Sequence, residues 1–144
     1  MPKTVDFLAA SKRHYKDAEL LTNSGRIPNA GHLFGFAAEC GLKALLVSYG
    51  LNTDPNTGDI FEPRPHKYKT HVDILINHIY AFPTSRNFAK YLAMMPTLPA
   101  FSNWRAEHRY FDEVFIPLSL NNWSGAAKEV RTMLDQAKLD GVIA

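Results

Sequence analysis

From Ala30 to Tyr49 the chain reads AGHLFGFAAECGLKALLVSY, a helical stretch that is apolar almost all the way round. A helix without a polar face is stable only where other elements cover every side of it, so this segment predicts the centre of a layered helical body. Gly31, Gly35, Ala38 and Gly41 give it small faces that let neighbouring backbones come close. Pro28 stands where a first-turn proline belongs, and Gly50 marks the end. Within this apolar stretch Glu39 and Lys43 are the charged exceptions that call for an explanation.

The remaining segments read as elements that wrap this helix. Phe7, Leu8, Ser11, Tyr15, Ala18 and Leu21 fall on one stripe, which predicts a helix over about 4–23 with Thr4 as its N-cap. Gly25 ends it, and the short turn to Pro28 predicts an antiparallel hairpin with the central helix. Over about 51–69, Pro55, Gly58, Pro63 and Pro65 break any periodicity, giving one long loop with room for a small hairpin. Thr70 is the expected cap of a third helix carrying Val72, Ile74, Leu75, Ile76 and Ile79. Thr84 or Ser85 is the expected cap of a fourth carrying Phe88, Tyr91, Leu92 and Met95, with Pro83 and Pro96 at the breaks. An aromatic-rich connection from Phe101 to Pro117 leads to a last helix with Trp123, Ala126, Val130, Met133, Leu134 and Ala137 on one face. The expected fold is therefore all-α: one domain over 1–144, an antiparallel up-and-down bundle of four to five helices with one long loop.

A chain of 144 residues buries about two-thirds of its unfolded surface, enough to hold a core without disulfide or metal. Its one cysteine, Cys40, sits among Phe36, Ala37, Gly41 and Ala44 and reads as a small buried thiol. No stretch reaches ~18 uninterrupted apolar residues, and the first ten residues carry Lys3 and Asp6. The expectation is a protein that is neither exported nor membrane-spanning, in the reducing cytoplasm. A formal charge of +2 with scattered basic residues gives little general attraction to nucleic acid, so any RNA contact needs a local site. No H-E-x-x-H, C-x-x-C, G-x-G-x-x-G or phosphate-loop motif occurs, and no cofactor or metal is implied. Asn52, Asp54, Asn56 and Asp59 lack the glycine and terminal glutamate of a calcium loop.

Three segments carry a resemblance. Ala30, Leu33, Gly35, Ala37, Glu39, Leu42 and Lys43 match the pattern A-x-x-L-x-G-x-A-x-E-x-x-L-K; KTHVDILINHI supplies Lys69, Thr70, His71 and Leu75; NWRAEHRY supplies Trp104, Arg109 and Tyr110. In this order the chain resembles the HEPN domains of toxin–antitoxin and nucleotidyltransferase-partner systems, over about residues 7–137. The resemblance implies a helical bundle, a homodimer, and either RNA or a nucleotidyltransferase as partner. Some members of the family are metal-independent ribonucleases with an Arg and a following His separated by four to six residues near the start of a late helix. Here that pattern is missing: His108 follows Arg105 too early, and Arg109 has no histidine after it. Arg26 with His32 and Arg64 with His71 have suitable spacing at other places in the chain.

The candidate residues have two readings each. Glu39 and Lys43, four apart with the acid first, form either a structural ion pair or a carboxylate that orients a basic residue from Trp104–Tyr110. Trp104, Arg105, His108, Arg109 and Tyr110 suit phosphate contact and base stacking, or else a core anchor with Arg109 tied to Glu39 or Asp112 and His108 solvated. His71, at a helix start, has its pKa lowered by the dipole and would serve as a general base, or it packs as an ordinary histidine. The functional expectation is a HEPN-like non-catalytic binding module for RNA or a nucleotidyltransferase, with Glu39, Lys43, Trp104 and Tyr110 in binding. The alternative is a metal-independent endoribonuclease or toxin using His71, His108, Arg105 and Arg109.

Overall fold

The computed structural model describes residues 3–82 and 86–144, with Arg86 described by its backbone. It is an all-α bundle of five helices, α1 (Phe7–Asn23), α2 (Ile27–Ser48), α3 (Val72–His78), α4 (Arg86–Ala93) and α5 (Leu120–Leu139), with short 3₁₀ turns between α3 and α5 and no strand among the described residues.

The α1–α2 corner follows from one glycine. Gly25 takes φ +75°, and the Gly25 and Arg26 N–H groups donate to the Thr22 and Leu21 carbonyls at 3.1 and 2.9 Å. This is the Schellman closure that a left-handed residue after a helix permits. It turns the chain within Ser24–Arg26, so α2 packs back antiparallel on α1. The Pro28 expectation holds, since that residue lies in the first turn of α2.

α2 is the centre. From Ala30 to Leu46 nearly every residue is buried, His32, Leu33 and Phe36 being the half-covered exceptions. α5 lies along it in the same direction: a side chain at Gly31 would meet Trp123, and one at Gly41 would meet Val130 and Leu134. The chain between α2 and α5 carries the backbone from one end of the bundle back to the other. By length and composition α2 could cross a membrane, but in this fold most of it is covered by the bundle. Cys40 is buried, and burial pushes its thiol up to about 11, as its apolar neighbours imply.

Two expected caps are replaced. Asp6, not Thr4, caps α1, its carboxylate accepting the Ala9 N–H at 3.0 Å. His71, not Thr70, is the N-cap residue of α3; the Thr70 hydroxyl donates instead to the Lys67 carbonyl at 3.1 Å. The expected caps Thr84 and Ser85 and the break at Pro83 lie outside the described residues. The loop over 51–69 contains the small hairpin, closed by an antiparallel bridge between Thr53 and Ile60. Glu62 gathers the far end of that loop by accepting the N–H groups of Lys67, Tyr68 and Lys69, each at 3.0 Å.

The aromatic-rich connection becomes three 3₁₀ turns, Leu98–Asn103, Ala106–Tyr110 and Glu113–Phe115. Trp104 is 0% exposed and lies against Gly35 of α2, where only a glycine leaves room for its indole. Trp123 of α5 fixes the first turn by donating its indole N–H to the Ala100 carbonyl at 3.1 Å and to Asn103 Oδ1 at 3.0 Å. These two tryptophans set the connection against the half-covered stripe of α2.

Candidate binding face

The stripe His32, Phe36, Glu39 and Lys43 recurs at helical spacing along α2. At its C-terminal end Glu39 is buried between the Lys43 ammonium and the His71 imidazole. Lys43 Nζ donates to Oε2 at 3.0 Å, and His71 Nδ1 lies 3.0 Å from Oε1. A carboxylate can only accept, so Nδ1 carries the proton, on a ring that is half exposed. The hydrogen bond to Glu39 raises the His71 pKa, opposed by burial and helped by the Glu39 charge. This corrects the expectation of a lowered value, because a carboxylate in contact outweighs the end of a seven-residue helix. It also corrects the expected second partner of Glu39: His71 fills that place, and no residue of Trp104–Tyr110 does.

Arg105 is likewise engaged. Its Nη1 lies 3.2 Å from Asp73 Oδ2 and donates to the Ser102 and Trp104 carbonyls at 2.8 and 3.0 Å. It joins the 3₁₀ connection to α3 and anchors the Trp104 backbone.

Trp104 forms the middle of the face. The His32 ring stacks on it with centroids 5.0 Å apart, and Phe36 meets both rings edge-on. Neither His32 nitrogen has a partner among the described residues, and burial holds its pKa down to about 4, with His108, Arg109 and His71 pushing the same way. The sequence named His32 only as a spacing match to Arg26; its place on the stripe with Phe36, Glu39 and Lys43 was the available signal.

At the N-terminal end of α2 the face opens. His108 is 7% exposed rather than solvated; its Nδ1 accepts the Arg105 N–H at 3.4 Å and its ring packs near Trp123 and Phe111. Since Nδ1 is the acceptor, Nε2 carries the proton. Burial lowers its pKa, with the Arg105 charge adding to the effect, so the ring favours the neutral form. Arg109 is exposed, pairs with neither Glu39 nor Asp112, and rests over the Tyr110 ring at 4.9 Å. Tyr110 is 77% exposed, which removes it from the core role that its neighbour Trp104 fills. Beside them lies a cavity of about 190 Å³ lined by residues of the α1–α2 corner and of the 108–116 connection.

The eight residues singled out from the sequence thus divide. Glu39, Lys43 and His71 form one closed cluster; Trp104 and Arg105 support the middle; His108 and Arg109 line the cavity; Tyr110 flanks it. No group of His, Cys, Asp and Glu suited to hold a metal occurs among the described residues. The chain matches no family model, no curated protein and no solved structure.

Proposed function

We propose that this chain is a HEPN-like, non-catalytic binding module whose ligand is RNA. One observation carries the reading: a cavity bordered by Arg26, His108 and Arg109 adjoins the exposed aromatic rings of Tyr110, Phe111 and Phe115. Guanidinium and imidazole donors hold phosphates, and exposed rings stack on unpaired bases, so the combination suits single-stranded RNA. The low net charge agrees with local contacts over a general electrostatic surface. One of the candidate catalytic groups, Arg105, is already bound to a protein carboxylate and two backbone carbonyls rather than free for a phosphate, which favours binding over cleavage. A homodimer, or a complex with a nucleotidyltransferase, belongs to the same reading, and the exposed Val114, Phe115 and Leu118 are apolar surface for it.

A second reading, metal-independent cleavage, rests on the Glu39–His71 pair. A buried carboxylate fixing Nδ1 leaves Nε2 free to take a proton from a 2′-hydroxyl.

Fluorescence anisotropy with labelled single-stranded RNA in excess EDTA, followed by electrophoresis of the same samples, separates the two. The expected result is saturable binding of intact RNA, weakened about tenfold by Arg109→Ala. RNA that is cut by the protein but not by His71→Ala establishes the second reading. Absence of both binding and cutting ends the RNA reading.

A further inference from the structure

The cavity at the start of α2 differs in chemistry from the rest of the face. Its wall joins the α1–α2 corner, Arg26 and Asn29, to His108, Arg109 and Glu113 of the connection. The Arg26 N–H is used by the Schellman turn, Pro28 has none, and the N–H groups of Ile27 and Asn29 find no partner among the described residues. α2 has no side-chain cap and no acidic residue in its first turn, so the positive end of a 22-residue helix is left uncompensated. Neither Arg26 nor Arg109 forms an ion pair among the described residues.

The second observation is His108. The residue is more than nine-tenths buried, its Nδ1 accepts the Arg105 N–H at 3.4 Å, and no acceptor for its Nε2–H occurs among the described residues. As a wall residue of the cavity it supplies a proton donor that needs no ionisation, since the tautomer is already set from behind. A cavity of about 190 Å³ holds far more than the ~10–15 Å³ that admits one water. It therefore combines two unpaired guanidinium groups, an imidazole N–H donor on its wall and a free helix N-terminus, against one carboxylate, Glu113, which is exposed and pairs with neither arginine.

We propose that this cavity binds a terminal phosphate, the dianion of a phosphate monoester such as the 5′ end of an RNA strand, between Arg26, Arg109, His108 Nε2–H and the first turn of α2. The RNA terminus rests on the function proposed above; the phosphate monoester does not. Two guanidinium groups and a helix end match a dianion better than the single charge of an internal phosphodiester. Phe111, also on the wall, stands where the base of that terminal nucleotide would stack.

The test is a titration of the full chain with adenosine 5′-monophosphate, inorganic phosphate and adenosine, followed by nuclear magnetic resonance at the His108 ring and the Ile27 and Asn29 amides. Saturable shifts with the monophosphate and with phosphate, and none with adenosine, are expected. Arg26→Gln with Arg109→Gln, both at exposed positions, weakens the monophosphate at least tenfold, and Glu113→Gln tightens it about threefold. Equal response to adenosine and its monophosphate, or undiminished affinity in the double variant, overturns the proposal. A parallel pair of short RNAs, with 5′-phosphate and with 5′-hydroxyl, identifies the source. Preference for the phosphorylated strand supports the RNA terminus. Equal affinity for both strands, with the monophosphate still bound, overturns the terminus and leaves a free nucleotide as the ligand. Failure of both strands ends the RNA reading alone, and the monophosphate titration then decides the cavity.

Discussion

The two ends of one helix face solve the problem of buried polarity in opposite ways. Around Glu39 every charge has its counterpart: Lys43 and His71 occupy the two carboxylate oxygens, and nearby Asp73 holds Arg105. Around Arg26, thirteen residues earlier, the cations and N–H donors are left open. The two histidines show the contrast in their tautomers. His71 donates its Nδ1–H to Glu39, whereas His108 accepts at Nδ1 and keeps its proton on Nε2. The closed end stabilises the fold, and the open end has binding capacity to spare.

Breaking the element shared by both ends gives the largest effect. Gly35→Ala would place a methyl on the buried Trp104 indole, between a helix backbone and a ring with no space to withdraw. The expected loss is about 4 kcal/mol, beyond the usual ~1–3 kcal/mol of overpacking, measured by urea unfolding. A change below about 1 kcal/mol would show that the indole can move aside and that Trp104 does not fix the face.

Glu39→Gln breaks only the closed end. It leaves the Lys43 ammonium buried without a counter-charge, at an expected cost of about 3 kcal/mol. It also removes a pH dependence. The folded His71 pKa is raised, so its stabilisation is complete below about 6.5 and is lost as pH rises through the folded value. Urea midpoints taken from pH 6 upward should fall for the parent chain on this account, and the variant should lack that fall. RNA affinity should stay within a factor of two, if the open end alone binds.

The middle of the face responds to acid. His32 resists protonation down to about 4, whereas an unfolded histidine takes its proton near 6.5. Between those values the unfolded chain binds more protons, so stability falls as pH drops from 6.5 to 4, by up to about 2 kcal/mol after allowance for partial exposure. His32→Leu should flatten this acid limb in thermal unfolding. An unchanged limb would assign it to another group, with His108 next in line because burial lowers its pKa as well.

Much of this was legible in the residues. The all-round apolar stretch fixed α2 as the centre, Gly25 and Pro28 marked the corner, and the Glu39–Lys43 pair followed from its i,i+4 spacing. Local signals sufficed there because the interactions are local. The caps show the limit: Thr4 and Asp6, or Thr70 and His71, are all acceptable near a helix start, and the packing of the chain entering the helix chooses between them. The candidate site was half legible. His108 and Arg109 were visible as a basic and aromatic cluster, but Arg26 and Asn29 lie some eighty residues away and carry no motif. His32 was concealed as one polar residue in an apolar run.

The sequence by itself determined the class of fold and which helix is central, because hydrophobic periodicity and turn chemistry act over a few residues. Only the tertiary structure decided which charges are satisfied. His71 became the partner of Glu39 thirty-two residues away, which reversed the direction of its pKa. The close approach of Trp104 to Gly35 brought the connection to the start of α2 and left Arg26 and Arg109 facing one cavity. Charge pairing depends on distance in space, and no local pattern in the chain specifies that distance.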